Sequence, residues 1–234
     1  MVSGIVRQSR VCLPGFSIVM VLTSAAQAHR PTFSDGSARD AEHALRIADI
    51  DVSQVVYHEV TTDAPQLWQT FEGRRGQRLW LQIGVPVLER LRTYRPAVAV
   101  LGPGFHTISV PFPVPPGLGG QVVTTEDVTP PREFHEEFTD TRSWILKETE
   151  IELPSDGRYY LVGYVPSQTL GKFWVAVGKR EAFGLADWAQ MGEWIKKARQ
   201  FHETQGPPEY LNIPCVVLAI LLLIASMACI LRRV

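Results

Sequence analysis

The sequence predicts an all-β domain, a β-sandwich or jelly-roll-like fold, followed by one amphipathic helix and one C-terminal transmembrane helix. Three observations carry this prediction. Short apolar or alternating runs recur between turn residues from position 53 to position 178, with no long helical stretch among them. The apolar period then changes to three and four in "GLADWAQMGEWIKKARQFHE" (184–203). Finally, "PCVVLAILLLIASMACIL" (214–231) is apolar throughout except for Ser226.

The two ends set the expected topology. Residues 1–28 combine Arg7 and Arg10, a short apolar run broken by Pro14 and Gly15, and small residues at Ala26 and Ala28. That order reads as a secretory signal peptide cleaved after Ala28. Cys12 precedes the apolar run and has no lipoprotein context. At the other end, the segment from Cys215 to Leu231 would be about 25–28 Å long as a helix, close to the ~30 Å hydrocarbon core of a bilayer. Arg232 and Arg233 follow it at once, as expected of a cytoplasmic end. The expected product is a single-pass cell-membrane protein, its folded part on the periplasmic or extracellular side and a three-residue tail (232–234) inside.

Between these ends the elements fall in order. Residues 29–48 are mixed and polar and read as an N-terminal arm or a short helix around "DAEHALRIA". The β-sandwich domain is expected over 49–180. Its strand signals are "SQVVYHEV" (53–60), "QLWQTFEG" (66–73), "QRLWLQIGV" (77–85), "AVAVLGP" (97–103), "SWILKETEIELP" (143–154), "GRYYLVGYVP" (157–166) and "GKFWVAVG" (171–178). Alternation puts Tyr159 and Leu161 on one face, Tyr160 and Val162 on the other. In "LPSDGRYY" Gly157 marks a tight turn that an L-residue resists. A Pro/Gly-rich insertion (103–142) interrupts the ladder pattern, with one extra hairpin expected around Val122 and Val123 and ordered loop elsewhere. An amphipathic helix follows in 181–206, stopped by Gly206 and Pro207–Pro208; then comes a linker (207–213) and the span (214–231).

Charge and cysteine usage narrow the class. Residues 29–213 hold all 24 acidic residues but only 19 of the 23 basic ones, because Arg7, Arg10, Arg232 and Arg233 lie outside. A mildly acidic domain does not suit nucleic acid. The cysteines, Cys12, Cys215 and Cys229, all fall in the apolar ends. The exported domain therefore holds together by packing without disulfides, which suits a bacterial envelope protein.

Three stretches, "FEGRRGQRLWLQI" (71–83), "PAVAVLGPG" (96–104) and "LPSDGRYYLVGYVPSQTLGKFWVAVG" (153–178), resemble the bacterial pre-peptidase C-terminal β-sandwich modules. The shared features are a Phe-containing strand, a Gly–Gln turn, a long apolar strand, a strand ending in Gly-Pro and a closing Gly-x-Tyr-Tyr hairpin. The resemblance covers about half of the exterior domain. It implies an accessory, non-catalytic module that binds carbohydrate, protein or a surface. The Pro-rich insertion departs from the pattern.

Candidate chemistry is sparse. No Gly-x-Ser-x-Gly, His-Glu-x-x-His, phosphate loop or cysteine nucleophile occurs in the exterior segment. His29, first residue after the expected cleavage, offers an amine and an imidazole to copper. "FHEEFTD" gathers His135, Glu136, Glu137 and Asp140, a set of ligands for calcium, although the alternating spacing of a calcium loop is missing and Arg132 and Arg142 stand ready to neutralise the acids. Trp68, Trp80, Trp144 and Trp174 lie on predicted strands, where packing or a sugar platform uses them. The sequence reading is a membrane-anchored, extracytoplasmic binding or complex-supporting module without catalysis or cofactor. Its partners are membrane lipid through the C-terminal helix and a protein or saccharide. A metal-binding envelope protein is the alternative, and a hydrolase ranks last.

Overall fold

A computed structural model describes residues 29–206 apart from 130 and 183. The expected signal peptide, linker, transmembrane helix and tail lie outside the described residues. Among those described, no helix is long and apolar enough to cross a membrane.

The chain runs through eleven strands and one helix. The strands are β1 (Arg30–Phe33), β2 (Leu45–Arg46), β3 (Gln54–Val60), β4 (Gln66–Gly73), β5 (Arg78–Pro86), β6 (Ala97–Gly102), β7 (Gly119–Val123), β8 (Arg132–Glu136), β9 (Thr141–Glu152), β10 (Gly157–Tyr164) and β11 (Gly171–Val177). The helix is α1 (Leu185–Phe201). They form two sheets, one six-stranded in the order β1-β3-β11-β5-β9-β8 and one five-stranded in the order β2-β4-β10-β6-β7. Every stretch read as a strand in the sequence is a strand here.

Period-two alternation builds the core. Leu79, Leu81, Ile83 and Val85 of β5, Val98 and Val100 of β6, Tyr159 and Leu161 of β10, and Phe173, Val175 and Val177 of β11 all enter one buried cluster between the sheets. Val162 and Tyr160 point the other way, into a second cluster. Gly157, at φ 141°, makes the turn into β10. The Tyr159 hydroxyl, at the inner end of that hairpin, donates to Ser155 O at 2.6 Å.

Each sheet is also covered on its outer face. Over the five-stranded sheet, Trp68, Ala99, Val162 and Tyr164 pack with Phe112, Ile108, Val110 and Val114 from the insertion and with Ala41 and Ala44 from the arm. The Pro/Gly-rich stretch is therefore a cover. The hairpin expected around Val122 and Val123 is instead a single strand, β7, added to the edge beside β6. The insertion also supplies β8, which pairs with β9 at the edge of the other sheet. No helix forms around "DAEHALRIA". The Asp40 carboxylate accepts from the backbone N–H groups of Glu42 (3.0 Å) and His43 (2.9 Å), closing a turn, and Leu45–Arg46 then pairs with β4.

Over the six-stranded sheet lies the end of α1. Ala198 is fully buried, and the Phe201 ring meets Tyr57 of β3 at 4.9 Å. Asp187 caps the helix start by accepting from Gly184 N–H (2.7 Å) and ties it to β1 through Arg30 (2.6 Å).

Candidate ligand-binding pocket

The remainder of that outer face is open. A cavity of about 260 Å³ lies there, floored by Tyr57, Trp80, Ile145 and Trp174 and flanked by both sheet edges, with His29 and Pro31 on the β1 side and Phe134 and Glu136 on the β8 side. Local sequence explains the floor. Gly84 has no Cβ, and a Cβ there would stand 2.2 Å from the Trp174 ring, so glycine lets that ring lie flat across β5. The irregularity between Ile83 and Gly84 in the β5–β9 register belongs to the same place.

Two hydrogen-bonded groups hold the walls. The Glu148 carboxylate accepts from Trp80 Nε1 (3.2 Å) and from Gln82 Nε2 (3.1 Å), and Arg132 stands 3.7 Å away. Trp174 Nε1 donates to Ser143 Oγ at 3.0 Å, and Ser143 Oγ lies 3.0 Å from His202 Nε2. His202 Nδ1 lies 2.8 Å from Ala198 O. The pattern fixes one tautomer: Nδ1–H donates to the carbonyl, and Nε2 accepts the serine proton. Burial holds this imidazole down to about 4.

Ser143 and His202 are a hydrogen-bonded serine–histidine pair with both members lining the cavity. Its chemistry is weak. The imidazole is oriented by a backbone carbonyl in place of a carboxylate, its low basicity makes it a poor proton acceptor, and Ser143 Oγ is held by Trp174 as well. The arrangement presents fixed hydrogen-bonding groups on an aromatic floor.

The residues singled out as metal ligands are divided by strand alternation. Arg132, Phe134 and Glu136 of β8, followed by Phe138 in the turn, line the cavity. His135 and Glu137 take the other parity and are exposed. His135 Nε2 lies 2.9 Å from Asp140 Oδ1. Asp140, at φ 51°, also receives Arg199, whose guanidinium donates to Asp140 Oδ2 (3.1 Å), Asp140 O (3.0 Å), Thr139 O (3.1 Å) and Gly206 O (2.8 Å). Arg199 thus clamps the end of α1 to the β8–β9 turn. His29 lies across the cavity, its ring stacked on Trp80 at 6.1 Å and its Nδ1 2.5 Å from Ser53 Oγ; burial lowers its pKa to about 4. No group of three His, Cys, Asp or Glu side chains among the described residues is arranged to hold a metal ion.

Glu136 behaves differently from the other acids. Burial pushes its carboxyl up to about 7, only partly offset by the Phe138 N–H that donates to Oε1 at 3.2 Å. Among the described residues no basic side chain forms an ion pair with it. The signal for this site was present in "REFHEEF": read as a strand, it puts Phe134, Glu136 and Phe138 on one side.

No known family's sequence profile matches the chain, and no curated protein matches it. Among solved structures, the pre-peptidase C-terminal domain of a collagenase from Bacillus anthracis is similar, at 12% identity and a TM-score of 0.28, over 56% of this chain and 91% of that domain.

Proposed function

We propose that this chain is a membrane-tethered, extracytoplasmic binding module that seats a group of its partner, a protein or a saccharide, in the cavity on the outer face of the six-stranded sheet. The observation that carries this reading is the cavity itself. It is the part of that face left open beside α1, it has an aromatic floor, and its polar groups are already fixed by Glu148, Ser143 and His202. The apolar segment 214–231 supports the tether, and the small-residue boundary at Ala28 supports export.

Phe134, 36% exposed on an edge strand, lines the cavity, so its replacement is expected to leave the fold intact. A photo-crosslinking amino acid at position 134 of the full-length chain, in cells, is expected to give discrete adducts. The same residue in place of Leu170, 64% exposed on the β10–β11 loop, serves as the surface control. Adducts of equal yield at both positions, or none at 134, would overturn the reading.

A further inference from the structure

We infer that the group seated in the cavity is a primary ammonium on an alkyl stem, as carried by a lysine side chain, with Glu136 as its counter-ion. This deepens the binding reading above and rests on it.

The charges around the cavity are otherwise taken. Arg132 stands against Glu148 at 3.7 Å, and Lys179 pairs with Glu150 at 3.1 Å. His29 and His202 are kept neutral by burial. Glu136 is left as the carboxylate whose Oε2 takes no donor among the described residues, while Oε1 accepts only the Phe138 N–H. A half-buried carboxylate in that position pays for its desolvation unless a cation joins it. That unmet demand is consistent with the raised carboxyl pKa.

The rings decide between kinds of cation. A quaternary ammonium is recognised by free aromatic faces. On two of the three aromatic floor rings those faces are occupied. Trp80 has His29 stacked at 6.1 Å and the Lys179 ammonium at 5.5 Å, and Tyr57 has Phe33 at 5.0 Å and Phe201 at 4.9 Å. Of the floor rings Trp174 alone is left, which does not make a cage, so recognition rests on a hydrogen-bonded charge, which a primary ammonium supplies with three N–H donors. Phe134 and Phe138, on either side of Glu136 in the inward row, offer apolar surface to the stem.

The test uses the full-length chain in a polyoxyethylene detergent, which carries neither sugar nor ammonium. n-Butylammonium, butan-1-ol and tetramethylammonium are titrated against tryptophan fluorescence, in wild type and in Glu136→Gln, with melting curves to verify folding. Butylammonium is expected to bind about tenfold more tightly than butanol and to lose about tenfold in Glu136→Gln, with butanol unchanged by the substitution. Equal binding of butanol and butylammonium, or tightest binding of tetramethylammonium, would overturn the inference. If adducts form at position 134 while butylammonium ignores Glu136→Gln, the ammonium assignment falls and the cavity remains the binding site. If position 134 gives no adducts, the binding reading falls first.

Discussion

At the residue scale, Arg199 shows how one side chain organises a region. It is 7% exposed and donates to carbonyls on both sides of the α1 terminus and to the Asp140 carboxylate. Its planar fork is what allows several acceptors to be met at once, and a lysine ammonium cannot reproduce it. Arg199→Lys is therefore expected to cost about 2 kcal/mol of stability. The check is urea unfolding, together with faster amide exchange confined to the β8–β9 turn and the end of α1. Unchanged exchange there would show that the helix end is held by Phe201 and Ala198 alone. His58 is a second instructive residue. It is buried in the sandwich with Nε2 3.1 Å from Ala64 O and Nδ1 3.2 Å from Ser34 Oγ, so it is a satisfied core histidine that ties two loops together.

At the element scale, the insertion contributes packing. Phe112 meets Trp68 at 5.5 Å and Tyr164 at 5.2 Å, edge to face. Phe112→Ala is expected to destabilise the whole domain by about 3 kcal/mol, as a core truncation does. A loss confined to local exchange in 105–118, with the global midpoint unmoved, would mean that this stretch covers the sheet without supporting it. Elements differ in how legible they are for a physical reason. The strands from 53 to 60 through 171 to 178 announce themselves because one face of each is apolar and the turns between them carry Gly or Pro. β8 does not, because at a sheet edge "REFHE" needs no apolar face; four of its five residues are exposed. The cover over the five-stranded sheet is hidden for another reason. "ISVPFPVPP" contacts through Ile108, Val110, Phe112 and Val114, a period of two, but its prolines suppress the ladder that normally gives that period meaning. The pocket follows the same logic. Once β8 is known to be a strand, parity separates Glu136 from His135 and Glu137, which grouping the three acids and the histidine by proximity in sequence cannot do.

At the scale of the whole molecule, buried titratable groups set the response to pH. Burial holds His29, His58 and His202 near 4 in the folded protein, against about 6.5 when unfolded. Above pH 6.5 both states are neutral and this stability is fully present. As pH falls from 6.5 to 4 the unfolded chain takes up protons that the fold refuses, and each fully buried histidine removes up to about 3 kcal/mol. Glu136 acts in the opposite direction. Its folded pKa of about 7 exceeds the unfolded value, so its burial is harmless below pH 4.5, costs more as pH rises from 4.5 to 7, and costs a constant amount above that. Glu203 adds to the acid sensitivity only at lower pH, because Arg90 and Lys172 hold its carboxyl near 2. The thermal midpoint is thus expected to climb between pH 4 and 6.5, less steeply than the histidines alone would give because Glu136 opposes them above pH 4.5, and to level off above pH 7 where all four groups have reached their final state. Glu136→Gln separates the two effects. It should leave the midpoint at pH 4.5 unchanged and raise stability at pH 8 by about 2 kcal/mol, since a neutral amide avoids the desolvated charge. A substitution that is silent at pH 8 would mean that Glu136 is solvated or already neutralised in the folded chain, and the cavity would then hold no unmet charge for an ammonium to answer.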